Sequence, residues 1–200
     1  MSRPRLEAFS DGVFAIAITL LVLNLAIPLH AAGHLLNRLE AMWPSYVAYL
    51  TSFLVIGIVW VNHHRLCTFL AGVDRQLVYI NLVLLLFTST IPFPAALLSE
   101  YAGSADAPAA TAVYGLWATL VSLCFVGMWL YLQRRPELVV PEQRERVVPA
   151  VRRSAVGPIV FGATTLLAVV APWVATFIFF LTMLFFAVAW SPRLVGRRER

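Results

Sequence analysis

The chain has 200 residues, of which 60% are hydrophobic and 12% charged, and its mean hydropathy of +0.81 marks an integral membrane protein and excludes a soluble globular domain. The net charge of +5 comes from 15 basic residues, all Arg, set beside apolar blocks. Membrane topology and contact with anionic lipid explain that placement, so no nucleic-acid partner is expected. In chain order the blocks predict six membrane-spanning helices at about 12–29, 45–61, 77–98, 112–132, 155–171 and 172–190, each long enough to cross roughly 30 Å of hydrocarbon. They form one unit over residues 1–200, an all-α membrane protein. The first block is too long for a signal peptide and lacks a small-residue cleavage site after Pro28, so it is expected to stay in the mature chain.

Arginine placement sets the orientation. Arg3, Arg5, Arg65, Arg75, Arg134, Arg135, Arg144, Arg146, Arg152, Arg153, Arg193, Arg197, Arg198 and Arg200 fall on one side of the six spans and only Arg38 on the other. The positive-inside rule then puts both termini in the cytoplasm, as an even span count requires. Cys67 and Cys124 lie in a cytoplasmic connection and inside the fourth span, so no disulfide between them is expected.

Between the first two spans, Leu35, Leu36, Leu39 and Met42 fit either a short amphipathic helix along the outer interface or an ordered loop. The outer segment 102–108 reads as a plain turn. The inner segment 133–153, mixed in charge, reads as a solvated connection with a short helix after Pro141. Ala171-Pro172-Trp173 leaves room only for a tight hairpin.

The first span carries the informative chemistry, RLEAFSDGVFAIAITLLVLNL over residues 5–25. At about 100° per residue, with Ile16 at zero, Leu20 falls near +40°, Leu23 near −20° and Ile27 near +20°, a narrow aliphatic stripe. Spacing alone favours lipid contact or helix packing over any functional role for the stripe. Asp11 falls near −140°, off the stripe, and is expected to face neighbouring helices of its own subunit. Its candidate partners are Arg5 and the cluster Trp60, Asn62, His63, His64, whose indole, imidazole and guanidinium donors would offset the cost of placing a carboxylate there. The cluster reads as a structural latch. A pH-sensing role for the His pair ranks below that, and a metal site lower still, because helix neighbours point about 100° apart and no further ligand stands at suitable spacing.

The run Arg5-x-x-x-Phe9-Ser10-Asp11 followed by Val13 through Leu23 resembles the signature of the transmembrane protein 175 family in its bacterial six-helix form, and the Trp60/Asn62/His63/His64 cluster extends the likeness. The resemblance implies a potassium-permeable channel without a P-loop, built as a homotetramer whose first helices line a central pore. It places the narrowest aliphatic ring at Ile16, five residues after the Asp, with further constrictions at Leu20 and Leu23, Thr19 at the edge of the pore face and Ile27 at its outer end. Modest selectivity for potassium over sodium, possible permeation by protons or other monovalent cations, no cofactor, no resident metal, no enzymatic activity and a plasma-membrane location complete the expectation. The runner-up is a secondary transporter, for which the interruption Ile91-Pro92-Phe93-Pro94 would be the broken helix, although no ionisable residue stands at mid-membrane.

Overall fold

The computed structural model describes residues 2–25 and 34–189. Helix α1, Arg3–Leu20, has Pro4 in its first turn, where the missing N–H costs nothing, and tightens into a 3₁₀ turn over Leu21–Asn24. It begins nine residues before the expected apolar span, because the polar stretch leading to Asp11 is itself helical. Leu6, Ser10, Phe14, Ala17 and Leu21 are buried, a stripe spaced three or four residues apart that packs on the second and third long helices.

Helix α2, Leu35–Ala41, settles the open alternative in favour of a helix, although it buries none of its residues. Helix α3, Trp43–Thr68, starts on Pro44 and rises about 39 Å. The third span is broken into α4, Arg75–Ser89, and α5, Pro92–Glu100. Pro92 offers no N–H and its ring crowds the carbonyl a turn earlier, which interrupts the ladder. The start of α5 is held from outside, since Asn24 Nδ2 donates to the Pro92 carbonyl at 3.0 Å.

A turn with Gly103 at φ +77° leads into α6, Ala107–Arg134, the longest helix described. Helices α7, Val147–Ser154, α8, Val156–Ala168, and α9, Pro172–Ala189, follow. The main core lies where α6 meets α8 and α4. Gly115 of α6 permits the closest approach: a Cβ there would collide with Thr165 Oγ1 and stand 2.5 Å from Phe179 Cζ.

Among the described residues, four stretches are long and apolar enough to cross a membrane by length and composition: Arg3–Asn24, Trp43–Thr68, Arg75–Glu100 and Ala107–Arg134. Helices α8 and α9 lie where the fifth and sixth spans were expected, but α8 has 13 residues and rises only about 20 Å.

The inner segment 133–153 corrects the expectation of a solvated connection. Its backbone pairs with the end of α3: Val140 N–H donates to the Phe69 carbonyl and Ala71 N–H to the Leu138 carbonyl, both at 2.9 Å. Val139 and Val147 are buried in the core. Apolar side chains inside a charged stretch bring the backbone with them, and its polar groups then need partners. Asp74 completes the tie. One carboxylate oxygen accepts from Leu77 N–H at 2.9 Å and so caps α4, while the other accepts from Tyr131 Oη and lies 3.8 Å from Arg135.

Two outcomes follow from this packing. Gly115→Ala should destabilise the fold by about 1 to 3 kcal/mol through overpacking, read as a lower melting temperature in detergent. Burial tends to raise the Asp74 carboxyl, but Tyr131, the Leu77 N–H and Arg135 outweigh it and hold the group below the ordinary carboxylate range. Its contribution is therefore present above the unfolded value of about 3.9 and lost as pH falls through the lower folded value. Wild type should melt above Asp74→Asn near neutrality, and the gap should narrow as pH falls below the ordinary carboxylate value of about 3.9; a gap independent of pH would contradict this.

Candidate functional site

The two faces of α1 are physically unlike. Round the helix from the buried stripe stand Ile16, 62% exposed, Leu20, 43%, and Leu23, 73%, with Thr19 exposed beside them. Ile27 lies outside the described residues. The Thr19 hydroxyl donates back to its own helix, 3.0 Å from the Ala15 carbonyl and 2.9 Å from that of Ile16. Its hydrogen is thus engaged, and only lone pairs remain to face outward.

What fixes this rotation is a set of polar contacts one to two turns toward the N-terminus. Ser10 Oγ donates to the Leu6 carbonyl at 2.8 Å and accepts from Asn81 Nδ2 at 3.0 Å. Asn81 Oδ1 in turn accepts from His63 Nε2 at 2.8 Å, which places the imidazole hydrogen on that nitrogen. Ser10, Asn81 and His63 are buried, on α1, α4 and α3, and Phe14 packs edge-on against the imidazole with ring centroids 5.2 Å apart. The chain links three helices through groups that would each be costly to bury alone.

Beside it, on the exposed edge, Asp11 Oδ1 accepts from Trp60 Nε1 at 2.9 Å, and the indole stacks on His64 with centroids 6.2 Å apart. The expected latch is therefore two assemblies, one around Asp11 and one around Ser10. The structure does not bring the other named residues into either. Arg5 and Phe9 are exposed, and no contact joins Arg5 to Asp11 among the described residues. Asn62 faces away, into a cleft between α3, α6 and α8. Asn81 went unnoticed, although a lone carboxamide in the third apolar block was the available signal. Among the described residues no group of three or more His, Cys, Asp or Glu could hold a metal.

Residues 5–92, which contain both assemblies, match the family described as the endosomal/lysosomal potassium channel TMEM175. A protein named as a potassium channel in Streptomyces collinus is 45% identical over 170 residues, 84% of this chain and 82% of that one. Another so named in Chamaesiphon minutus is 36% identical over 188 residues, covering 92% and 93%. The human protein named as the endosomal/lysosomal proton channel TMEM175 is 34% identical over 101 residues, 46% of this chain and 20% of that one. The crystal structure of a lysosomal potassium-selective channel TMEM175 homolog from Chamaesiphon minutus superposes with a TM-score of 0.86 at 35% identity, covering 94% of this chain and 97% of the other.

Asn81→Leu keeps the volume of the side chain but leaves the His63 N–H and the Ser10 hydroxyl oxygen facing hydrocarbon. It should cost about 1 to 3 kcal/mol, measured as a fall in the detergent melting temperature. An unchanged melt would show that the buried chain does not hold α1.

Proposed function

The chain belongs to the TMEM175 family, and from that premise we propose that it is a potassium-permeable cation channel in which four copies surround a pore lined by α1. One observation carries the proposal: on a helix whose other stripe is packed into the core, the Ile16, Leu20 and Leu23 side chains are left exposed and in line. A multi-pass membrane protein can offer such a stripe to lipid or to its own copies. The relatives named as potassium and proton channels favour a pore. In this reading α8 and α9 complete six helices per subunit, both termini lie in the cytoplasm, the host membrane is the plasma membrane, and no cofactor takes part.

The physics of such a pore is dewetting. A ring of four isoleucines offers water no hydrogen bonds, so the constriction at Ile16 is a barrier when narrow and passes a partly hydrated ion when it widens. Leu20 and Leu23 extend the barrier outward. Aliphatic rings supply no ligand for a cation, so preference for potassium over sodium comes from the greater cost of stripping water from the smaller ion. The Thr19 oxygen offsets part of that cost. Selectivity is accordingly modest, and protons share the path. The Asp11–Trp60 and Ser10–Asn81–His63 contacts act as the latch that keeps the stripe aimed at the axis.

A secondary transporter would draw on the break between α4 and α5, but no ionisable residue stands at Ile91-Pro92-Phe93-Pro94 to serve as a coupling site. The discriminating measurement is single-channel recording in a planar bilayer with potassium on one side and sodium on the other. Wild type should show discrete openings with a potassium-favouring reversal potential. Ile16→Asn should wet the constriction; a barrier lowered by about 1.4 kcal/mol raises conductance roughly tenfold, and the reversal potential should move toward zero. Unchanged conductance and selectivity would remove Ile16 from the constriction, and saturable uptake coupled to a second ion would favour the transporter.

A further inference from the structure

Two cavities meet at the arginine-rich end of the molecule, with Trp129, Arg153 and Ser154 in the wall of both. The first is an apolar cleft between α3, α6 and α8, walled by Val55, Val121, Phe125 and Phe161. Along α6 its lining runs from Ala118 to Trp129, a rise of about 16 Å, close to half of a hydrocarbon core of about 30 Å. The cleft is therefore one leaflet deep. The second cavity, of about 360 Å³, is lined by Arg65, Arg146 and Arg153 together with Gln143, and no acid stands among its described lining residues. The charges of Arg146 and Arg153 both act on Arg65. Like charges gathered around one hollow repel one another, and an anion placed among them relieves that repulsion.

A second observation points to the same place. Among the described residues, two buried side-chain atoms have no hydrogen-bond partner, Asn62 Oδ1 and Gln143 Oε1. Asn62 lines the apolar cleft and Gln143 the arginine cavity. Buried polar atoms without partners are uncommon enough in folded proteins to call for an explanation.

We propose that the paired cavities form a binding site for one anionic glycerophospholipid, with an acyl chain in the apolar cleft and the phosphodiester among Arg65, Arg146 and Arg153. A hydroxyl of the headgroup donates to Gln143 Oε1. The Asn62 carboxamide, one turn deeper on α3 than Arg65, meets the ester region; with its amide turned so that nitrogen takes the unpartnered oxygen position, it donates an N–H to an ester carbonyl. Guanidinium groups suit this role because they bind phosphate through paired hydrogen bonds, and basic pockets between membrane helices favour anionic headgroups. Segment 190–200 of the chain itself is a poor occupant, since it carries Arg193, Arg197, Arg198 and Arg200 against the single acid Glu199. The site lies between α3, α6 and α8, away from the exposed stripe of α1, and does not depend on the channel reading.

The test is equilibrium titration of the full purified chain in uncharged detergent with dioctanoyl phosphatidylglycerol, dioctanoyl phosphatidylcholine and glycerol phosphate. Phosphatidylglycerol should bind the wild type at least about tenfold more tightly than either of the others. The double variant Arg146→Gln/Arg153→Gln should lose roughly tenfold or more in affinity for it. Arg134→Gln, at the same end but outside both cavities, should leave it unchanged. Arg146 is exposed, so Arg146→Gln alone preserves the packing and should still weaken binding by about threefold if the double variant fails to fold. Equal binding of phosphatidylcholine would remove the arginines from recognition. Glycerol phosphate binding as tightly as the lipid would make this a site for free phosphate esters. An equal loss in Arg134→Gln would reduce the effect to general surface charge. Each of these three results overturns the proposal.

Discussion

The buried chain of hydrogen bonds from Ser10 through Asn81 to His63 is the constraint on which the arrangement of α1 depends. In a low-dielectric interior a donor or acceptor that loses its partner is costly, so these three groups tolerate one relative rotation of α1, α3 and α4 and no other. Aliphatic packing alone would be more permissive, because leucines and isoleucines can repack with a small change in register. The polar chain turns a hydrophobic preference into a specific orientation, and the orientation decides which side chains of α1 remain uncovered.

A second attachment stands beyond the other end of α1, where Asn24 donates to the Pro92 carbonyl in the first turn of α5. Ser10 and Asn24 therefore secure α1 near both ends to the two halves of the broken third span. The stripe from Ile16 to Leu23 lies between them. Neither attachment involves a stripe residue, so the aliphatic side chains are positioned without being gripped. In the proposed pore that separation lets the width of the constriction change through small shifts of whole helices while the aim of the side chains is preserved.

Much of this was legible in the residues, and what was not has definite causes. The exposed stripe follows from helical periodicity, and the partnership of Asp11 with Trp60 from the chemistry of a carboxylate beside an indole N–H. The division of the latch into two assemblies was not legible. His63 and His64 are neighbours in sequence but leave α3 in different directions, one into the core and one to the stack on Trp60. Asn81 was hidden because a carboxamide in an apolar run gives no sign of its partner until the third helix is placed beside the first. The inner segment was misread for a related reason. Its charged residues dominate its composition, while the pairing of Val139 with Leu70 joins positions far apart in the chain, beyond the reach of local patterning.

The back-bonded hydroxyl of Thr19 has a consequence for the sign of the ion. With its hydrogen turned toward the carbonyls of Ala15 and Ile16, the oxygen presents electron density alone to whatever passes in front of it. In the proposed pore, four such oxygens around the axis would attract cations and repel halides without any formal charge. A ring of carboxylates would do the same more strongly, but it would titrate. A hydroxyl ring does not titrate across the biological range, so in that pore discrimination by the sign of charge would persist unchanged in acid.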